Sequence, residues 1–142
     1  MPLPDRWFRS EPDSSSLAAP RLLARVTVHP DDLDDRIALY ESVLGFACDA
    51  RMPMPDGGLE LATVGNLLLI GNPVTPSEAA RATAFTLLVA SVPDHVAALE
   101  RAGAVVTEPV AVSPAGRRAR VRLVDGTVVE VIDHRPLPEE GG

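Results

Sequence analysis

All 13 basic residues of this chain are arginine; there is no lysine. A Schiff-base lysine, a lysine general base and a P-loop lysine are therefore excluded. What remains are planar guanidinium groups that stay charged. They are suited to gripping anions or flat groups rather than to moving protons. Arg117, Arg118, Arg120 and Arg122 crowd into one short stretch. They read either as an anion-binding wall or as a solvated ladder guarding an edge strand. Proton transfer falls to carboxylates and to three histidines. His29 stands beside Pro30 at a strand end and reads as a solvated residue before it reads as a base. His134 lies close to the C-terminal segment, and His95 lies on a helix surface. Cys48 is the single cysteine, so no intrachain disulfide forms, and it reads as a small core residue.

The elements that must position these groups come in two copies. Leu33, Ile37, Ala38, Tyr40 and Glu41 lead to Gly45. Val92, Val96, Ala97, Leu99 and Glu100 repeat the phrase 59 positions later and lead to Gly103. An internal repeat implies two related folded units. In the first, Leu22–His29 has the β-branched character of a buried strand. Pro30 stops it, and Asp31 or Asp32 caps a helix whose stripe is Leu33, Ile37, Tyr40 and Leu44. Gly45 ends the helix. Strands at Phe46–Met52, Leu59–Val64 and Asn66–Ile70 follow, with turns at Pro55–Gly58 and Gly65–Asn66.

Residues 71–82, with Pro73 and Pro76, read as a linker. The second copy then runs as strand Ala84–Ala90, a helix opened by Ser91 and Asp94, and strands Val105–Val112, Arg118–Val124 and Thr127–Asp133. Asp125-Gly126 is a hairpin turn. The fold class is α+β, a βαβββ module used twice. Residues 1–20 read as a flexible tail in which Trp7 and Phe8 dock on the body of the fold or on a partner. Residues 21–135 form the domain, with modules at about 22–71 and 83–135, and residues 136–142 form a second tail.

Composition narrows the function. A hydrophobic content of 46% suffices for a packed interior. A net charge of −7 argues against a nucleic-acid partner. No apolar run is long enough to span a bilayer as a helix, and no basic-then-apolar leader pattern opens the chain. The expected location is the cytoplasm, with no membrane partner.

Two phrases carry a resemblance. Asp32-Leu33, followed by Leu39-Tyr40-Glu41-Ser42-Val43-Leu44-Gly45-Phe46, is similar to the D-L…FY…LGF phrase of the vicinal oxygen chelate superfamily. Asp125-Gly126-Thr127-Val128-Val129-Glu130 is similar to its D-G-x-x-x-E ending. That superfamily includes glyoxalase I, the bleomycin-resistance proteins and the extradiol dioxygenases. The resemblance covers roughly residues 22–133. It implies two βαβββ modules forming a curled, cup-shaped mixed sheet with helices outside and a ligand on the inner face. It also implies a homodimer, because the cup is often completed by modules of two chains.

Metal-dependent members place ligands at four corners of the cup. Carried over residue by residue, those corners are Arg25, Leu69, Ala84 (or Thr83) and Glu130. One carboxylate with an arginine is not a divalent-metal site, so no metal and no cofactor is expected. A rearranged set of His29, Glu130 and His134 is the remaining metal reading. Strand alternation then turns Thr27 and His29 inward with Arg25, and Thr86 inward on its own strand. Arg120 and Arg122 face the cup or its rim, and Met52 and Leu69 supply apolar wall. Arg25 and Glu130 either pair with each other or act on a ligand, Glu130 as acid/base and Arg25 as a grip on an oxygen.

Two metal-independent functions follow. One is a metal-independent binder of a small molecule, a natural product or antibiotic, of the glyoxalase/bleomycin-resistance type. The other is a metal-independent isomerase, lyase or cyclase acting through Glu130. A divalent-metal enzyme of the glyoxalase or dioxygenase kind is the third reading.

Overall fold

In the computed structural model, residues 7–11, 13–54 and 58–136 are described. The turn expected at Pro55–Gly58 falls mostly outside them, as does the C-terminal segment beyond Arg135-Pro136. Among the described residues, nine strands divide between two compact units, one strand contributing to both. The expected α+β class and βαβββ repeat are both present.

The first unit contains β1 (Phe8–Arg9), the later part of β2 (Arg21–Val28), α1 (Leu33–Leu44), β3 (Cys48–Pro53), β4 (Glu60–Val64) and β5 (Leu67–Gly71). From Ala24 onward, β2 runs parallel to β5, while β4 is antiparallel to both β3 and β5. The helix lies over the sheet because its stripe is apolar. Leu33 and Ile37 pack with Val28, Ala62, Val64, Leu67 and Leu69, and Tyr40 lies against the same cluster. Gly45 ends α1 at φ 75°, with its N–H donated to Glu41 O. A side chain with a Cβ would be strained there.

Capping at the start of α1 differs from expectation. A 3-10 turn over Pro30–Asp32 precedes the helix, and His29 Nδ1 accepts from Asp31 N at 3.1 Å. Asp32 makes no capping bond through its side chain. The proline at the first position of the turn moves the cap back by one turn.

The second unit contains α2 (Glu78–Ala82), β6 (Phe85–Leu88), α3 (Val92–Arg101), β7 (Val105–Val112), β8 (Arg117–Arg122) and β9 (Val128–Ile132). β6 is parallel to β9, β8 is antiparallel to β9 and β7, and Arg21–Leu23 of β2 pair with β6. Val92 and Val96 of α3 pack on Ala119, Val121, Val129 and Val131. Ser91 caps α3 by accepting from Asp94 N.

Two segments depart from the sequence reading. The stretch taken for an N-terminal tail pairs the backbone of Phe8 and Arg9 with Arg51 and Ala50, while the Phe8 side chain is exposed. Farther on, Ser14 is buried and donates its hydroxyl to Val89 O at 2.7 Å, while His134 N donates to Ser14 Oγ. The linker also contains a short helix, α2. No helix among the described residues is long and apolar enough to cross a membrane.

Cys48 is half-buried, with Sγ donating to Ala50 O, and burial pushes its thiol up. The thiolate is the nucleophile. Alkylation by iodoacetamide at pH 8 is therefore expected to run at least several-fold slower than for glutathione, followed by mass spectrometry. A rate equal to glutathione's would show that the thiol is freely accessible.

Candidate functional site

The alternation of β6, β8 and β9 divides each strand between two faces. Ala119, Val121, Val129 and Val131 turn toward α3. Thr86, Leu88, Arg118, Arg120, Arg122, Glu130 and Ile132 therefore lie on the helix-free face. Register then brings the polar ones together. Thr86 stands opposite Glu130, Glu130 opposite Arg120, and Arg120 opposite Glu108 of β7.

Their side chains form a connected chain of contacts. Thr86 Oγ1 donates to Glu130 Oε1 at 3.0 Å. Arg120 Nη2 lies 3.9 Å from Glu130 Oε2, and its Nε lies 3.2 Å from Glu108 Oε2. Arg120 Nη1 donates to Thr83 Oγ1, and that hydroxyl donates in turn to Ala79 O of α2 at 2.8 Å. The unexpected helix thus orients the threonine that orients the arginine. Arg120 is buried, and the Glu130 side chain is only 13% exposed. The Glu108 carboxylate is within ion-pair distance but off the Nε–H direction, so among the described residues that buried nitrogen has no hydrogen-bond partner. The buried pair of Arg120 and Glu130 holds a fixed geometry more than it stabilises the fold, while Glu108 sits half exposed at its border.

Thr86, Glu130 and Arg120 are thus brought together as the alternation implied. Arg122 lies on the same face and is exposed. Thr83 and Glu108 complete the group. Thr83 entered the sequence reading only as an alternative metal corner, and Glu108 did not enter it. A count of positions across the β7–β8 hairpin would have found Glu108 only with its two register shifts known.

In the first unit, Val26 and Val28 pack toward α1, so Arg25 and Thr27 lie on the opposite face. Met52 also lies there, fully buried. Leu69 does not. It was expected on the inner face, but it packs in the helix-side core with Leu33 and Ile37. Leu68 and Ile70 share the face of Arg25 and Thr27, opposite which they pair. Since Thr27 corresponds to Thr86 in the repeat, the mate of Glu130 is Ile70.

His29 is half exposed and spends Nδ1 on the Asp31 backbone N–H; Asp31 Oδ2, at 3.5 Å, adds an ion pair only if the imidazole protonates. His134 is buried, and its backbone N–H and C=O both bond Ser14.

The fold family implies a divalent ion, and the donor set does not fit one. Glu130 already meets Thr86 and Arg120, the other corners are Arg25, Ala84 and an aliphatic residue, and guanidinium cannot ligate. Among the described residues, no three His, Cys, Asp or Glu side chains come together to hold a metal.

These features define a protein of the vicinal oxygen chelate fold. The chain is similar to an uncharacterized protein from Methanosarcina mazei, with 33% identity over 82% of this chain and 94% of that one and a TM-score of 0.68. At that identity and coverage the two chains belong to one family. Methylmalonyl-CoA epimerase from Mycobacterium tuberculosis shares the fold at 19% identity, over 87% of this chain and 94% of that one, with a TM-score of 0.56. The Streptomyces coelicolor methylmalonyl-CoA epimerase, in complex with 2-nitronate-propionyl-CoA, does so at 16% identity, 80% and 97% coverage and a TM-score of 0.55. No protein-family model and no curated protein matches the chain.

Proposed function

We propose that this chain binds a small organic molecule on the helix-free face of β6, β8 and β9 without a divalent ion, as a binding protein of the bleomycin-resistance type. The observation that carries this reading is the engagement of Glu130. The one carboxylate kept from the metal pattern accepts from Thr86 and is paired with Arg120. Leu88 and Ile132 lie on the same face and supply aliphatic wall, so the group is a polar anchor in apolar surroundings, which is how small-molecule sites are commonly built. The protein is proposed to act as a homodimer, which light scattering tests against the 15.0 kDa chain mass.

The same position supports a second reading. A carboxylate that accepts from Thr86 and faces the Arg120 guanidinium on a largely buried strand is also a candidate proton acceptor. The epimerases that share the fold make a methylmalonyl-CoA-like thioester a reasonable first substrate to try.

One set of measurements separates the readings. Chelator-treated protein is titrated with Mn²⁺, Fe²⁺, Ni²⁺ and Zn²⁺, and no one-to-one binding at micromolar concentration is expected. Tight binding of any of them would overturn the metal-independent reading. Thermal shifts are then recorded with a panel containing bleomycin, methylmalonyl-CoA and uncharged polyketide lactones, and bound compounds are recovered. A binder returns its ligand unchanged, and Glu130→Gln weakens affinity only a few-fold. For an enzyme the same substitution abolishes turnover, or deuterium uptake from D₂O, with affinity near intact.

A further inference from the structure

We infer that the ligand of this face is an organic anion, held by Arg118 and Arg122 on either side of the Arg120–Glu130 pair. The inference rests on the binding reading above and adds the ligand's charge class. Three arginines recur at every second residue of β8, on the face turned away from α3. Strand geometry puts about 7 Å between successive members and about 13–14 Å between the outer two.

Their surroundings differ. Arg120 is buried between two carboxylates, and Arg117, on the other face, is paired with Asp133. Arg118 stands opposite Ala111 and Ile132, and Arg122 opposite Val105 and Val128. All four of those neighbours are aliphatic, so neither outer arginine has a cross-strand carboxylate. Among the described residues, neither has an ion pair.

The edge-guard explanation fails on topology. β8 lies between β9 and β7, and the edge belongs to β7. Pro109 and two register shifts already blunt that edge. A chain of charge −7 has carboxylates to spare, yet none stands across the strand from these two cations. Guanidinium groups with free forks on an interior strand match carboxylate or phosphate oxygens two at a time.

The test uses pyrophosphate and propane-1,2,3-tricarboxylate as probes, at constant ionic strength, in calorimetric and thermal-shift titrations. The variants are Arg118→Gln and Arg122→Gln. Arg36→Gln and Arg101→Gln, at exposed positions on the two long helices, serve as controls. Saturable stabilisation by at least one probe is expected. Each strand variant should weaken it about tenfold, the scale of one charge-assisted hydrogen bond. The controls should stay within about twofold, and the preferred probe tells phosphate from carboxylate.

Absence of saturation, or equal loss in the controls, would overturn the inference. A bound neutral or cationic member of the earlier panel whose affinity responds to Glu130→Gln would then leave the binding site standing and remove only the anion assignment. No shift with any compound would remove both.

Discussion

Asp133→Ala is expected to cost the fold about 3–5 kcal/mol, seen as a lower urea midpoint with an unchanged slope. The Asp133 side chain is fully buried. Its Oδ2 accepts from Val92 N at 2.8 Å and from Arg117 Nε at 2.9 Å, with Arg117 Nη2 in ion-pair contact at 2.8 Å. Its Oδ1 accepts from Arg117 N at 2.8 Å. One carboxylate thus joins the end of β9, the start of β8 and the first turn of α3, where the helix dipole favours a negative charge. Alanine leaves a buried helix N–H and a mostly buried guanidinium without this acceptor. Asparagine keeps one acceptor oxygen and should lose about half as much. The neighbourhood has no slack: a Cβ on Gly116 would lie 2.0 Å from the carbonyl oxygen of Asp133, so the backbones approach only because that residue is glycine. A loss below about 1 kcal/mol for Asp133→Ala would mean that water replaces the carboxylate.

The repeat made most of the architecture legible, because both copies carry their own helix stripe and glycine stop. Leu33 and Ile37 are buried under α1 as spaced, and Val92 and Val96 are buried under α3. Alternation also placed Thr86, Glu130 and Arg120 on one face, since each is flanked along its strand by apolar residues, Phe85 and Leu87, Val129 and Val131, and Ala119 and Val121. It failed at Leu69 because all five residues of β5 are buried. A strand apolar on both faces carries no period to reveal which way it turns. β1 was missed because two residues make a strand only through the partner they pair with. α2 was missed because its five residues follow two prolines and have no buried face. The position of β8 inside the sheet lies outside local pattern altogether. That single fact removes the reading of a ladder guarding an edge.

Arg120→Met tests the centre of the site. The substitution keeps most of the side-chain volume and removes the charge between Glu130 and Glu108. Glu130 then remains largely buried, keeping Thr86 as donor and losing Arg120 as counter-charge. A loss of about 3–5 kcal/mol in unfolding free energy is expected at pH 7. Glu130→Gln alone should lose about 1–2 kcal/mol, because the amide still accepts from Thr86. Combining the two removes both members of the pair, so the double variant should be more stable than the sum of the singles implies, by about 1–3 kcal/mol. Additive losses would mean that the 3.9 Å approach of Nη2 to Oε2 contributes no net coupling, and that Thr83 and Glu108 hold Arg120 without it. The coupling also bears on function. A guanidinium fixed from three sides presents its carboxylate partner in one orientation, and its outer neighbours Arg118 and Arg122 remain available to whatever that carboxylate is held in place to meet.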